Sequence, residues 1–347
     1  MSWDQQSFPI FNPSCPSLLC RHLTEQLFEQ LKDRVTVNGF TLAQAINSGV
    51  VNQDSGVGVY AGDAESYHLF SPLFDPIIAD YHGFSKTDRH HSDLNLEQLT
   101  APNPDPDGRF ILSTRIRVGR NIEGLPLGPA ITKIQRNLVE SQIASSLRSL
   151  TGELAGTYYP LAGMDETVRR QLVADHFLFK AGDRFLDAAG LNCDWPSGRG
   201  IFHNVDKTFL VWVNEEDQLR IISMQQGGDI ETVFRRLLQA VTEIGRSISF
   251  MFDSRLGYLT SCPTNLGTAM RASVHIRLPK LATDMPLFKS ITDSYQLQIR
   301  GVDGEHSESE SDIFDISNKR RLGVTEVDCV QGMYDGVVAL IGQEQKL

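Results

Sequence analysis

The sequence predicts an α+β protein: a small all-α N-terminal domain, then a larger domain in which a mainly antiparallel β-sheet is flanked by helices. Three observations carry this. Leu18, Leu19, Leu23, Leu27 and Leu31 make an apolar stripe at helical spacing near the start of the chain. Residues 85 to 109 then turn polar and are punctuated by Pro102, Pro104 and Pro106. Beyond them the apolar period shortens to that of strands, and two such runs are only five residues apart, too close for a parallel crossover.

Taken in order, residues 16 to about 82 read as helical and include the glycine-bearing run Ser55-Gly56-Val57-Gly58-Val59-Tyr60. The polar segment marks a boundary, giving a small domain over 1–90, a linker over 91–110 and a larger domain over 111–347. In the larger domain, residues 110–118, 208–213, 219–224, 257–261, 272–278 and 296–300 read as strands. Residues 133–150 read as a helix with Ile134, Leu138, Ile143 and Leu147 on its apolar side. Residues 229–248 read as another, with Ile230, Val233, Leu237, Val241 and Ile244 inward and Asp229 as N-cap. The strands of 208–213 and 219–224 should form a hairpin with Glu215, Glu216 and Asp217 near its tip. The acidic, glycine-punctuated stretch 301–312 is expected to be a mobile surface loop.

The 347 residues carry 32 Lys+Arg against 43 Asp+Glu, a net charge of −11. That balance argues against a general nucleic-acid or anionic-membrane binder, which needs a positive field over a whole face. An anion held here must be met locally. The basic residues divide into 23 arginines and 9 lysines, and arginine is the residue that grips phosphate or carboxylate with a planar, permanently charged fork. No run approaches the roughly 18 apolar residues of a membrane span. The start lacks the basic and apolar regions of a secretory signal, so a cytoplasmic protein is expected. Five cysteines without a CxxC pair or zinc-type spacing fit free thiols in a reducing compartment.

There is no G-x-x-x-x-G-K-[ST] loop, no His-Arg-Asp or Asp-Phe-Gly tripeptide and no G-x-S-x-G elbow. What stands out is the placement of arginines on strands. Arg115 and Arg117 alternate along the first strand and so share a face, Arg120 follows them, Arg220 opens the return strand of the hairpin, Arg271 and Arg277 flank another strand, and Arg300 ends a third. Most arginines on strands simply face solvent, but several at strand ends beside glycine-rich loops would repel one another unless a polyanion lay between them. Glu216 and Glu305 could each accept a bidentate cation such as a guanidinium, although either alone reads more readily as a solvated turn residue. Cys262 lies in Thr-Ser-Cys-Pro-Thr-Asn-Leu-Gly-Thr, whose donors could stabilise a thiolate, and a lone cysteine is more often a small buried apolar residue.

Nine segments carry a resemblance: Ser-Gly-Val-Gly-Val-Tyr (55–60), Leu-Phe-Asp-Pro-Ile-Ile-Ala-Asp-Tyr-His (73–82), Leu-Ser-Thr-Arg-Ile-Arg-Val-Gly-Arg (112–120), Gly-Thr-Tyr-Tyr-Pro-Leu (156–161), Asp-His-Phe-Leu-Phe (175–179), Val-Trp-Val-Asn-Glu-Glu-Asp (211–217), Cys-Pro-Thr-Asn-Leu-Gly-Thr (262–268), Gly-Glu-His-Ser-Glu-Ser (304–309) and Asn-Lys-Arg-Arg-Leu-Gly (318–323). In these, and over nearly its whole length, the chain resembles the phosphagen (guanidino) kinases. Tyr81 and the short 55–60 loop are most similar to the members acting on free L-arginine.

The resemblance implies reversible phosphoryl transfer between MgATP and a guanidino compound by a monomer, with Mg²⁺ carried by the nucleotide rather than by a protein metal site. It implies that Arg115, Arg117, Arg220, Arg271 and Arg300 grip the phosphates and that Ser113, His176 and His275 line the nucleotide site. Glu216, Glu305 and Cys262 would bracket the guanidinium, with Glu216 as main base, Glu305 as a clamp on a closing loop and Cys262 as a thiolate. Ser55, Gly56, Val57 and Tyr60 would hold the carboxylate end of the substrate, and an Asp54–Arg184 salt bridge would support a closed state. Taurocyamine or another guanidino acceptor is the alternative within this chemistry, and a non-catalytic nucleotide-binding scaffold the alternative outside it.

Overall fold

The helix signals of the N-terminal third are short and separately capped, so the chain there builds several short helices. In the computed structural model, which describes residues 3–175, 177–179, 182–301 and 312–347, these are α1 (Leu18–His22), α2 (Glu25–Leu31), α3 (Leu42–Val51), α4 (Ser66–Leu69) and α5 (Ser71–His82). Ser17 and Thr24 cap α1 and α2 through their hydroxyls, and Thr41 and Gln44 close a reciprocal capping box on α3. α5 stops at Gly83, which takes the left-handed conformation that terminates helices. Leu18, Leu19, Leu23 and Leu31 are buried together as the spacing predicts. Their core is not confined to this layer, since Leu127, Met251, Leu256, Leu259, Leu266 and Leu322 complete it from the rest of the chain.

Among the described residues the larger part has ten strands: β1 (Ile111–Arg120), β2 (Gly156–Pro160), β3 (Gly200–Asn204), β4 (Phe209–Val213), β5 (Leu219–Gln226), β6 (Phe252–Asp253), β7 (Gly257–Tyr258), β8 (Met270–Arg277), β9 (Leu297–Arg300) and β10 (Ile313–Asn318). Eight form one sheet in the order β2-β3-β4-β5-β1-β8-β10-β9, and every pairing is antiparallel. The expected hairpin is β4–β5, with residues 214–218 as its loop. Remaining helices are α6 (Lys133–Leu147), α7 (Glu166–Ala174), α8 (Arg184–Ala188), α9 (Ile230–Gly245), α10 (Met285–Ser294) and α11 (Glu326–Lys346).

Alternation divides the central strands into two chemically different faces. Ile116, Val118, Ala272, Val274, Ile276 and Ile316 point to one side and bury against α9 and α11, making the main core. Ser113, Arg115 and Arg117 of β1 point to the other. α9 buries the predicted Ile230, Val233, Leu237, Val241 and Ile244, and Asp229 caps it by accepting from the Thr232 amide.

Two expectations need correction. On α6, Ile143 and Leu147 are buried but Ile134 is 83% exposed and Leu138 46%. The inward position goes instead to Arg136, whose guanidinium reaches Asp194 at 2.6 Å and the Ile131 carbonyl. The strand expected over 257–261 is paired only at Gly257 and Tyr258. The backbone at 260–261 bonds elsewhere: the Thr260 carbonyl accepts from the Tyr67 hydroxyl, the Ser261 carbonyl accepts from the Ala61 amide, and the Ser261 amide donates to Asp217.

Glycine spacing in the small layer fixes the height of the 55–60 loop. The Gly49 amide on α3 donates to the Gly58 carbonyl at 3.1 Å, and Gly58 has φ 83°. A Cβ on Gly49 would collide with that carbonyl. Gly49→Ala is expected to destabilise the fold by about 1–3 kcal/mol through overpacking. Urea denaturation measures it, and an unchanged midpoint would show that the contact is not tight.

Candidate active site

The sheet register gathers the predicted cationic residues on one face. Arg117 lies directly opposite Arg271, Ser113 opposite His275, and Gly119 opposite Arg220. Farther out, Asp315 stands opposite both His275 and Arg300. Positions 113, 115, 117, 220, 271, 275 and 300 therefore share a face, spread over β1, β5, β8 and β9. Arg120 has the other parity. It is fully buried, stacked over the Tyr258 ring at 3.4 Å with Glu326 3.9 Å away, and takes no part in the cluster.

Such crowding costs energy, and the structure shows how it is borne. Burial first, and Arg271 and Arg220 next, push the Arg115 guanidinium down to about 10. Burial and the same neighbours hold Arg117 well below the usual arginine range. Arg271 donates to Asp315 at 2.8 Å and to Ser317 at 3.2 Å, and Arg220 reaches Glu215 and Glu216, both at 2.7 Å. The Trp212 ring lies under Arg115 at 5.3 Å and under Arg220 at 5.7 Å. Arg115 Nε is buried without a hydrogen-bond partner. Guanidinium groups that exceed their local carboxylates, with a buried donor to spare, make a site for a polyanion.

Next to this face is the hairpin tip. Glu216 accepts from Arg220 and, at 3.2 Å, from Asn265. Burial pushes its carboxyl up to about 7 against the opposing pull of Arg220. Asn265 belongs to the short 3₁₀ turn that follows Cys262 and donates its backbone amide to the Cys262 carbonyl, so one residue ties the acid to the Cys262 loop. The Cys262 sulfur is 3.1 Å from the Thr264 hydroxyl. Burial, followed by the nearby Glu216 carboxylate, pushes its thiol up to about 12. That direction runs against the thiolate expected from the sequence, because neither burial nor an adjacent carboxylate favours an anion.

The small layer supplies the third wall. Tyr60 packs with Cys262, Ala189 and Leu191. The Gly56 and Val57 carbonyls of the loop accept from the Leu18 and Leu19 amides, and Ser55 donates its amide to the Asn52 carbonyl. The Asp54–Arg184 pair implied by resemblance is present as a two-point ion pair. Around it, Asn52 donates to the Arg184 carbonyl at 3.2 Å, Ser48 to that of Phe185 at 2.8 Å and Asn47 to that of Ala188 at 2.7 Å. His176 and Glu305 lie outside the described residues, as does nearly all of the 301–312 loop.

Several residues of the site receive no role from the sequence pattern, although Asp217 is placed by it near the hairpin tip. Arg321 lines the same small cavity as Arg117, Arg220 and Arg271, donating to Asn265 and to the Thr264 carbonyl. Asp217 accepts from Asn121 and from the Ser261 amide, both at 2.8 Å, and so ties the hairpin to the Cys262 loop. Asp315 sits on a strand that the acidic stretch before it obscures. Position within the matched segments 211–217, 262–268 and 318–323 was the available signal for the first two. A cavity of about 590 Å³ opens elsewhere, beside β2 and β3, with a mostly apolar lining that includes Tyr159, Met164, Val168 and Leu172.

Known proteins resemble this chain over nearly its whole length. Residues 138–347 match the model of the ATP:guanido phosphotransferase C-terminal catalytic domain and residues 13–79 that of the N-terminal domain. An arginine kinase of Anthopleura japonica is 57% identical over 344 residues, covering 97% of this chain and 48% of that one. An arginine kinase of Penaeus monodon is 56% identical over 334 residues, covering 96% and 94%. Among solved structures, a lombricine kinase superposes with TM-score 0.91 at 40% identity, covering 99% of this chain and 96% of that one. The duplicated taurocyamine kinase of Schistosoma mansoni gives 0.89 at 44%, covering 96% and 46%. The chain thus spans about half the length of the Anthopleura and Schistosoma proteins and nearly all of the other two.

The Asp54–Arg184 pair is more than half exposed on both sides, so it should hold the loop in place without holding the fold together. Asp54→Asn is expected to leave the urea midpoint unmoved while amide exchange across residues 52–58 quickens. A lowered midpoint with unchanged exchange would reverse that assignment.

Proposed function

The chain belongs to the ATP:guanido phosphotransferase family, and within it we propose that this protein reversibly transfers the γ-phosphoryl group of MgATP to the guanidino group of L-arginine, giving phosphoarginine and ADP. The observation that carries the reading is the position of Glu216. It stands at the seam between an arginine-lined face suited to phosphates and the Cys262–Tyr60 wall, where a carboxylate can meet a guanidinium. The choice of L-arginine as acceptor is supported by identities of 55–57% to arginine kinases.

In this reading Arg115, Arg117, Arg220, Arg271 and Arg300 hold the phosphates, with Ser113, His176 and His275 beside the nucleotide. Transfer of a phosphoryl group asks chiefly for alignment and for charge stabilisation on the equatorial oxygens, and a single well-placed arginine can supply about 10³–10⁵ in rate. Mg²⁺ arrives on the phosphates as part of the substrate. The acceptor nitrogen must lose a proton before or as it attacks, and a guanidinium with pKa above about 12 does not lose it unaided. Glu216 orients that nitrogen and takes the proton, while Arg220, drawn towards phosphate, releases the carboxylate it now pairs. Glu305 clamps the other side of the guanidinium, and Cys262 contacts it. Ser55, Gly56, Val57 and Tyr60 take the carboxylate end of the amino acid, which assigns residues 1–90 to the acceptor, 91–110 to the linker and 111–347 to the nucleotide. A cytoplasmic location fits the five free cysteines, and a monomer is what the family resemblance implies.

Glu216 can accept a proton only when ionised, so activity should appear as pH rises through its value near 7. kcat/KM for the acceptor is expected to fall about tenfold per unit below that point. Glu216→Gln should abolish this acid limb and lower kcat by about 10²–10⁴. Turnover within a few-fold of the unaltered protein would remove Glu216 from the role.

A second reading is favoured by one observation, the 44% identity to a taurocyamine kinase over 96% of this chain. A coupled assay with L-arginine, taurocyamine, lombricine, glycocyamine and creatine in parallel separates the two. L-arginine is expected to give the highest kcat/KM. Preference for taurocyamine would select the second reading, and no turnover with any acceptor would leave a nucleotide-binding scaffold.

A further inference from the structure

The segment that supports the 55–60 loop contains two thiols that the proposed reaction does not use. Cys15 precedes α1 and Cys20 lies within it, and both meet the hydroxyl of Ser17: the Cys15 sulfur is 3.3 Å from it, and the Cys20 amide donates to it at 3.1 Å. Burial, together with contact from the Cys15 thiol, raises the pKa of Cys20. Both residues are partly exposed, so a small oxidant can reach them. Of the remaining cysteines, Cys193 is exposed, Cys262 belongs to the site already described, and Cys329 is buried, with its thiol pushed up to about 12 chiefly by desolvation.

Cys15 is also wired to the loop. Its thiol donates to the Gln53 carbonyl at 3.1 Å. The Gln53 side chain is stitched to the same N-terminal segment, accepting from the Asn12 amide at 2.7 Å and donating to the Ile10 carbonyl at 2.9 Å. The next residue is Asp54, the partner of Arg184, and the residues after it are Ser55, Gly56 and Val57. Two of these hang directly from α1 through the Leu18 and Leu19 amides. A change at the Cys15 sulfur therefore acts one residue from Asp54 and two from the proposed acceptor loop.

We propose that Cys15 and Cys20 are a paired oxidation site, closing into a reversible disulfide under a peroxide, and that this bond loosens the 53–60 loop and weakens acceptor binding. One thiol is oxidised to a sulfenic acid as the peroxide O–O bond breaks and the first water leaves. The other thiol displaces the second water from that sulfur as the S–S bond forms. Two protons and two electrons leave the sulfurs, and the peroxide is reduced to two waters. Once closed, Cys15 has no proton left to donate, so the Gln53 carbonyl loses its partner. A dithiol reductant restores both thiols by exchange. The kinetic consequence rests on the L-arginine reading, whereas the bond and its effect on the loop do not.

No Lys or Arg precedes Arg21, so trypsin releases residues 1–21 as one peptide that holds Cys15 and Cys20 and no other cysteine. After treatment of the full-length protein with hydrogen peroxide, this peptide is expected to be lighter by two hydrogens and to return to its original mass with dithiothreitol. Amide exchange at residues 53–58 should quicken in the oxidised form. KM for L-arginine should rise about fivefold or more, in line with the cost of misplacing a substrate contact, with KM for MgATP unchanged. Cys20→Ser and Cys15→Ser should each keep basal turnover and lose all of these responses. Two free thiols in peptide 1–21 after peroxide would overturn the proposal, as would a disulfide that leaves exchange at 53–58 unaltered. If the reduced protein turns over no guanidino acceptor, the functional reading fails, and the mass and exchange measurements still decide this one.

Discussion

Like charges held close together on one face of a sheet are the constraint on which the rest of the molecule depends. Arg115, Arg117, Arg220 and Arg271 come from three adjacent strands, and their mutual repulsion in a partly desolvated setting works against folding. The protein offsets this with Asp315 on one flank, Glu215 and Glu216 on the other, and the Trp212 ring beneath. The opposite face has no such burden. It buries aliphatic side chains against α9 and α11, and that core supplies the hydrophobic stabilisation that keeps the charged face in register.

The residues that balance the arginines are also those placed for chemistry. Glu216 is an ion-pair partner of Arg220, and its burial lifts it into the range where a carboxyl can exchange a proton near neutral pH. A polyanion on the arginine face would compete for Arg220 and so change the charge environment of Glu216. On the proposed reading, nucleotide binding and readiness of the acceptor site would be coupled through that one side chain.

The second wall is positioned by backbone rather than by charge. Residues 260–263 leave strand geometry because their carbonyls and amides are claimed from outside, by Tyr67, Ala61 and His82 of the small layer and by Asp217 of the hairpin. Those bonds explain why the small layer's core runs on into Leu256, Leu259 and Leu266. The Cys262 loop is shared property of both parts, and Tyr60 reaches it because Gly49 and Gly58 let the loop lie directly on α3.

Much of this was legible in the sequence because it is governed by local rules. Spacing fixed the inward faces of the first helices and of α9, the five-residue gap fixed the β4–β5 hairpin, and alternation put Arg115 and Arg117 on one side of β1. It failed where a tertiary partner outweighed the pattern. Ile134 is exposed since Arg136 turned inward to Asp194, and 259–261 is irregular since its backbone groups were bonded across the chain. Residue types and their parity on each strand are one-dimensional facts, and these the sequence determined by itself. Which strands lie side by side is not, because antiparallel pairing of β1 with both β5 and β8 joins positions 99 or more residues apart. Only the tertiary structure could decide that Arg117 faces Arg271, that Arg120 is withdrawn under Tyr258, and that burial gives Glu216 and Cys262 the proton affinities they have.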